Sequence, residues 1–234
     1  MSAAERVAVV TGSSSGIGKA TAELLRQAGV SVVGMSRRLE DGPGALHCDV
    51  RDEQQVFYAF RRVLERHGRV DILVNCAGAV GKADALSVTR ELWDLLLGTN
   101  LVGTYWCCRE ALKAMQQHSW GRIVNVSSIA GRSYSRHAAL PYTCSKYGVI
   151  GLTRQLAAEF GQHGITVNCV CPSETKTEMV LEQLSSDRLL ALESAHPMGR
   201  LAQPAEVARV VAFLASDEAS YINGAVLDVN GGLL

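Results

Sequence analysis

The chain has 234 residues, of which 47% are hydrophobic and 20% are charged. This composition excludes a disordered or fibrous chain, and the length suits one large domain with a sizeable core. Lys and Arg total 23 and Asp and Glu total 23, so the formal net charge is zero, whereas nucleic-acid-binding domains usually carry a basic excess. No apolar run approaches the length of a membrane-spanning helix, and no signal-peptide core precedes Gly12. We therefore expect a cytoplasmic protein that binds neither nucleic acid nor membrane.

Strands and helices alternate along the chain. A β-branched run predicts a strand at Val7–Thr11, and apolar spacing predicts a helix over 16–28. Further strands are expected at 30–35, 70–74, 122–126, 165–170 and 225–229, and further helices at 52–67, 89–98, 101–118, 141–161 and 204–215. The strands are apolar on both faces, as in a parallel sheet covered by helices on both sides. The sequence thus predicts an α/β fold, a doubly wound parallel sheet (Rossmann fold), as a single domain over 1–234.

A glycine-rich turn, Thr11-Gly-Ser-Ser-Ser-Gly-Ile-Gly18, joins the first strand to the first helix. Glycines there let the backbone approach a pyrophosphate, and the free N–H groups of the helix start face the phosphates. The spacing is GxxxGxG rather than GxGxxG, and a merely flexible turn is the alternative. The strand–turn–helix context predicts a dinucleotide site that includes Gly12, Ser14, Ser15, Gly16, Ile17 and Gly18.

The end of the second strand indicates which dinucleotide binds. NAD sites place Asp or Glu there for the ribose 2′-hydroxyl, but here the strand runs into Ser36-Arg37-Arg38 with no acid. Hydroxyl and guanidinium groups bind a 2′-phosphate, so we expect NADP(H) to be favoured over NAD(H). Glu40 and Asp41 follow closely and argue against it, and the arginines also suit a solvated turn.

Tyr142 and Lys146 stand four residues apart near the start of the helix predicted over 141–161, so they share one helix face. Tyrosine ordinarily has a pKa of about 10, and a neighbouring ammonium favours its phenolate form. The pair therefore suits acid–base chemistry on a carbonyl, although Tyr and Lys at this spacing also occur by chance.

With these motifs the chain resembles the short-chain dehydrogenase/reductase family in its single-domain form. The resemblance covers residues 7 to 232. Its ordered motifs are the turn at 11–18, Asp49-Val50, Asn75-Cys76-Ala77-Gly78, Asn100, Asn125-Val126-Ser127-Ser128, Tyr142 with Lys146, Asn168 with Pro172, and Asn230-Gly231-Gly232. It implies an oxidoreductase that interconverts a ketone and a secondary alcohol by hydride transfer with a nicotinamide cofactor.

The resemblance also implies roles for single residues. Tyr142 would give a proton to the substrate carbonyl oxygen, and Lys146 would favour its phenolate and bind the nicotinamide ribose. Ser128 would hydrogen-bond the developing oxyanion, with Ser127 as the alternative. Asn100 would hold a water that relays protons to Lys146, unless it caps a helix. The remaining cofactor contacts would come from Asp49, Val50, Asn75, Ala77, Gly78, Pro172, Thr175 and Thr177, together with Tyr142 and Lys146.

Two segments are expected to line the substrate site. One is a basic loop with Arg132, Arg136 and His137, which would bind an anionic tail or else be solvated or contact another subunit. The other is a small lid at about 173–197, an amphipathic mobile cover that carries both signs of charge. Pro172-Ser173 departs from the Pro-Gly that is usual in the family.

The resemblance is strongest to the 3-oxoacyl-thioester and carbonyl reductases, so the expected substrate is a 3-oxoacyl thioester or a small polar or anionic ketone. The alternatives are an NAD(H)-dependent alcohol or sugar dehydrogenase of the same family, an epimerase or dehydratase, and a non-catalytic dinucleotide-sensing protein. The family also implies a homotetramer. We predict no metal site, because the seven cysteines show no C-x-x-C pair and suit small buried apolar positions.

Overall fold

Seven parallel strands form one sheet in the computed structural model, which describes residues 6–135, 137–183 and 185–234. The strands are β1 (Val7–Thr11), β2 (Ser31–Ser36), β3 (Ala45–His47), β4 (Ile72–Asn75), β5 (Gly121–Val126), β6 (Ile165–Pro172) and β7 (Val226–Val229). Their order across the sheet is β3-β2-β1-β4-β5-β6-β7. The order reverses between β1 and β4, and open α/β sheets bind their ligands at such a switch point. The predicted doubly wound parallel sheet is confirmed.

Helices cover both faces of this sheet. Those within the described ranges are α1 (Gly16–Gln27), α2 (Glu53–His67), α3 (Arg90–Leu97), α4 (Gly103–Met115), α5 (Leu140–Phe160), α6 (Glu178–Gln183), α7 (Ser186–Ala195) and α8 (Pro204–Leu214). One apolar core lies between the sheet and α2, α4 and α5, and a second lies between the sheet and α1 and α8. Val7 and Val9 enter the first core, whereas Ala8 and Val10 enter the second. This division follows from the two-residue repeat of a strand and explains why the strands are apolar on both faces.

Most predicted elements agree with the structure to within one to three residues, and the largest difference lies between α3 and α4. The predicted break between these helices is absent, because α3 passes through a π-helical segment, Gly98–Val102, directly into α4. The structure also contains the short edge strand β3 and, within the predicted lid, α6 and α7. Elements as short as β3 and α6 leave too few repeats for periodicity to indicate them.

Five of the seven cysteines, Cys48, Cys107, Cys108, Cys169 and Cys171, are buried, and all seven are free thiols. Burial raises the pKa of Cys48, Cys76 and Cys108 to about 12, so these thiols behave as small apolar side chains. Cys144 is exposed. Within the described ranges, no three His, Cys, Asp or Glu side chains are grouped as metal ligands. In the same ranges, no helix combines the length and apolarity needed to cross a membrane.

Candidate active site

The glycine-rich turn lies at the carboxyl end of β1, against the segment that follows β4. A Cβ atom on Gly12 would stand 2.8 Å from the backbone of Ala77, and one on Gly18 would stand 2.4 Å from the Gly12 carbonyl oxygen. The Ala77 N–H donates to Thr11 Oγ1 at 3.1 Å. Because Gly12 also has a positive φ of 65°, this close approach requires glycine. The structure thus brings together the predicted turn and the Asn75 to Gly78 motif.

The start of α1 faces the same place. Ser15 is the N-cap, but its side chain makes no cap hydrogen bond, and the first turn of α1 contains no acidic residue. The first N–H groups of a helix without such a cap bind anions, and that of Gly16 donates to the Glu178 carboxylate at 3.0 Å. This arrangement fits a cofactor pyrophosphate at Gly16, Ile17 and Gly18.

Ser36 ends β2 beside this turn, and its Oγ lies 2.9 Å from Ser14 Oγ and accepts from the Arg38 N–H at 3.2 Å. Arg37 and Arg38 are exposed. Asp41, one of the two acidic residues that follow them, is already bound within the chain. Its carboxylate accepts from the His47 N–H at 2.8 Å and pairs with Arg62. The structure therefore places two hydroxyls together at the end of β2, directly before the exposed Arg37 and Arg38.

Asp49 and Val50 follow β3 on the adenine side of the expected site. Arg51 binds the Asp49 carboxylate through two nitrogens, with a shortest contact of 2.6 Å. The Arg51 hydrogen bonds lower the pKa of Asp49, and the charge of Arg37 contributes. Val50 is buried, and a Cβ on Gly103 would stand 2.8 Å from its Cγ2.

Tyr142 and Lys146 both lie on α5, as predicted, with Lys146 Nζ 5.7 Å from the centre of the Tyr142 ring. The Tyr142 side chain is half-buried, whereas Lys146 is only 5% exposed. Lys146 Nζ donates to the Val126 carbonyl oxygen at 3.0 Å. The structure therefore holds the Lys146 ammonium and the Tyr142 ring together on one face of α5.

Ser127 and Ser128 are distinguished by their hydrogen bonds. Ser127 is buried, and its Oγ donates to the Lys146 carbonyl oxygen at 2.8 Å. Ser128 is half-buried at the start of a short 3-10 segment, Ile129–Gly131, and its Oγ accepts from the Ala130 N–H at 3.1 Å. An accepting hydroxyl keeps its own proton for another partner. The geometry therefore favours Ser128 as the donor to a substrate oxygen.

Asn100 lies inside the π-helical segment between α3 and α4. Its Oδ1 accepts from the Ala79 N–H at 2.7 Å, and its Nδ2 donates to the Ala79 carbonyl and to Ser145 Oγ, both at 3.0 Å. Because the chain is helical on both sides of it, Asn100 does not cap a helix. A Cβ on Gly78 would stand 3.6 Å from Asn100 Oδ1 and 3.9 Å from Lys146 Nζ. Such π-helical bulges are frequent at functional sites.

The side chain of Asn75 points into the core. Its Nδ2 donates to Asn125 Oδ1 at 2.9 Å, and the Asn125 amide in turn donates to Thr153 at 3.0 Å. This chain of hydrogen bonds joins β4, β5 and α5, three of the elements that carry the site.

The predicted contacts beyond β6 divide between the core and the turn. Thr175 is buried, pairs with Ala202 in an isolated bridge and donates to the Ser173 carbonyl oxygen at 3.1 Å. Thr177 instead lies on the glycine-rich turn, because a Cβ on Gly16 would stand 2.9 Å from its Cγ2. Pro172 is the buried last residue of β6. Of the two threonines, Thr177 is therefore the one that faces the cofactor cradle.

Ser173, which replaces the usual glycine, has a defined contact. Its Oγ lies 3.3 Å from His196 Nε2, and His196 Nδ1 lies 2.8 Å from the Leu192 carbonyl oxygen. This contact ties the first residues of the predicted lid to its last ones.

The basic loop is partly neutralised. Arg132 forms a two-pronged ion pair with Asp228 at 2.9 and 3.1 Å, so its charge is already balanced within the chain. His137 Nδ1 lies 3.2 Å from the Arg188 guanidinium of α7 and so contacts the lid. Arg136 lies outside the described residues.

Two contacts of the site were not predicted. Ser145 supports Asn100, and the spacing of three residues between it and Tyr142 could have indicated a shared helix face. Glu178 accepts from the Gly16 N–H at 3.0 Å. No local pattern indicates this contact, because the two residues are 162 positions apart.

Comparison with known proteins shows the family of the chain. Residues 12–234 match the family described as Enoyl-(Acyl carrier protein) reductase. The chain is 37% identical to the 3-oxoacyl-[acyl-carrier-protein] reductase FabG of Vibrio cholerae over 238 residues, covering 97% of each chain. It is 40% identical to the acetoacetyl-CoA reductase of Rhizobium meliloti, covering 97% of this chain and 98% of the relative.

A solved structure shows the same architecture. The structure of ElxO with NADP bound superposes with a TM-score of 0.91 at 33% identity, covering 98% of each chain. The sheet order, the glycine-rich turn at the switch point and the Tyr142–Lys146 pair thus accompany a likeness over nearly the whole chain. The protein belongs to the short-chain dehydrogenase/reductase family and is an NAD(P)-dependent oxidoreductase.

Proposed function

We propose that the protein reduces a ketone to a secondary alcohol, and catalyses the reverse reaction, with NADP(H) as cofactor and Tyr142 as the acid–base group. The observation that carries the proposal is the position of Tyr142 beside the buried ammonium of Lys146, whose Nζ would lie 3.9 Å from a Cβ on Gly78. The nicotinamide supplies or accepts a hydride at the carbonyl carbon when it is bound.

Residues of this chain transfer the proton and stabilise the charge that develops on the carbonyl oxygen. During reduction Tyr142 gives its phenolic proton to the carbonyl oxygen, and Ser128 donates a hydrogen bond to the same oxygen. Lys146 stabilises the resulting phenolate and would hold the nicotinamide ribose. Asn100 would hold a relay water, and its side chain braces Ala79 and Ser145 at the same time.

The proposed preference for NADP(H) rests on the group at the end of β2. Ser14 and Ser36 offer hydroxyls 2.9 Å apart, and Arg37 and Arg38 are exposed next to them. Asp41 is paired with Arg62, so its charge is partly cancelled. The NADP-bound state of the similar ElxO structure also supports this preference.

For the substrate we propose a 3-oxoacyl thioester, or otherwise a small polar or anionic ketone. The names of the FabG and acetoacetyl-CoA reductase relatives support the first class. Residues 173–197 would act as the lid over it.

The test is a panel of 3-oxoacyl thioesters, acidic ketones, sugars and neutral cyclic ketones, with oxidation of NADPH followed by its absorbance. A clear rate with thioesters supports the proposed substrate class. Tight NADPH binding without turnover on any member would contradict a reductase and favour a dinucleotide sensor.

We also propose a homotetramer. Val102, Tyr105 and Tyr147 are 39%, 39% and 48% exposed on or next to α4 and α5, and Leu234 is 60% exposed. Burying such side chains between subunits is favourable. Light scattering coupled to size exclusion checks it, and a monomer at micromolar concentration would refute it.

A further inference from the structure

A carboxylate of the lid occupies the anion-binding end of α1. Glu178 is the first residue of α6, and its Oε2 accepts from the N–H of Gly16 at 3.0 Å. Gly16 is the first residue of α1 and belongs to the glycine-rich turn. The N–H group that would face a cofactor phosphate is therefore bound to a side chain of this same chain.

The electrostatics of the contact resemble those of a bound phosphate. The first turn of α1 contains no acidic residue, and Ser15 makes no side-chain cap. The Glu178 carboxylate therefore supplies a negative charge at the positive end of the α1 dipole. Hydrogen bonds from the backbone N–H groups of Glu178 itself and of Gly16 lower the pKa of this carboxyl, and the charge of Lys19 contributes. Glu178 is thus negatively charged at neutral pH.

The lid also packs against the glycine-rich turn. Thr177 Cγ2 would stand only 2.9 Å from a Cβ on Gly16, and Glu178 Oε2 would stand 4.0 Å from it. A pyrophosphate at the Gly16 N–H would meet this carboxylate at a distance where like charges repel. The two anions cannot share that donor.

The part of the chain just before this contact is anchored. The Lys176 N–H donates to the Ala202 carbonyl at 2.8 Å, and Lys176 Nζ pairs with Glu193 of α7 at 2.6 Å. Movement of Glu178 away from Gly16 therefore requires a change only beyond Lys176, in Thr177 and α6.

We infer that Glu178 competes with the cofactor pyrophosphate for the Gly16 N–H group and so lowers cofactor affinity. The inference rests on the proposed function, since it takes the glycine-rich turn as the dinucleotide site. The displaced residue belongs to the lid, so cofactor binding and the position of α6 are coupled.

The test compares Glu178→Gln with Glu182→Gln, which removes the same charge from the same short helix at an exposed position. Dissociation constants for NADPH and for NADH are measured by calorimetry. A single charge at a helix end changes affinity by about two- to fivefold, so Glu178→Gln is expected to tighten both cofactors by about that factor. The two should respond alike, because both contain the pyrophosphate. Glu182→Gln should leave both constants unchanged.

A second measurement needs no cofactor. Amide hydrogen exchange in the ligand-free protein should be faster around Gly16 and in α6 for Glu178→Gln than for wild type or Glu182→Gln. Unchanged or weaker cofactor affinity in Glu178→Gln overturns the inference, as does equal tightening by Glu182→Gln. If wild type binds neither dinucleotide, the proposed function fails and so does the competition. Binding without a Glu178 effect leaves the proposed function standing and overturns this inference alone.

Discussion

Lys146 Nζ donates a hydrogen bond to the Val126 carbonyl oxygen at 3.0 Å, at the carboxyl end of β5. An ammonium has three donors, so this contact fixes its position and leaves two donors for further partners. The same geometry keeps the charge 5.7 Å from the centre of the Tyr142 ring. The predictions for the catalytic residues follow from it.

Replacing Tyr142 by Phe should remove the proton donor and leave the aromatic packing in place. We expect kcat to fall at least about a hundredfold, the usual contribution of a positioned acid, while the dissociation constant for NADPH stays within about twofold. Steady-state kinetics and calorimetry measure the two quantities. A kcat close to that of wild type would show that Tyr142 is not the acid.

The two neighbouring serines should respond differently. Ser128→Ala should lower kcat by about a hundredfold, because it removes a hydrogen bond to the developing oxyanion. Ser127→Ala should instead lower the free energy of unfolding by about 1 kcal/mol, because it removes a buried bond to the Lys146 carbonyl. Kinetics and urea denaturation of both variants check this. The reverse pattern would make Ser127 the substrate contact.

Replacing Arg37 by Ala should raise the KM for NADPH about tenfold and leave the KM for NADH unchanged. The 2′-phosphate is the only group that distinguishes the two cofactors, and a hydrogen bond to a charged group has about this effect. Arg209→Ala, which removes the same charge from an exposed position of α8, is the control and should leave both KM values unchanged. An equal rise for NADH would remove Arg37 from the phosphate site.

Iodoacetamide should inactivate the protein through Cys144 and not through Cys76. Cys144 is exposed on α5 between Tyr142 and Lys146, whereas burial raises the pKa of Cys76 to about 12. Thiolate is the reactive form, so Cys76 is protected at neutral pH. Cys144→Ser should keep most of its activity and resist the reagent, and peptide mapping should find the label on Cys144 in wild type.

Asp71→Asn should destabilise the fold without touching the site. The Asp71 carboxylate is fully buried and accepts from the Val7 N–H at 2.8 Å and from Arg69 at 2.6 and 2.7 Å. Removing its charge leaves Arg69 without its partner, and we expect the free energy of unfolding to fall by about 2–3 kcal/mol. Urea denaturation measures the loss. A change within error would mean that the pair contributes nothing net.

Local sequence patterns were enough to predict the sheet, the glycine-rich turn and the Tyr142–Lys146 pair. These features depend on neighbouring residues: the alternation along a strand, the backbone freedom of Gly12 and the four-residue spacing on one helix. The absence of an acidic residue at the end of β2 could also be seen in the sequence, because it depends only on the residues at 36–38.

Which of these groups are already bound within the chain depends on its tertiary packing. Asp228 forms an ion pair with Arg132, and the backbone carbonyl of Lys146 accepts a hydrogen bond from Ser127. Glu178 binds the N–H of Gly16, which is 162 positions away in the chain. Such contacts join segments that are distant in the chain, so no periodicity or spacing encodes them. They depend on how the lid and the ends of the strands pack together.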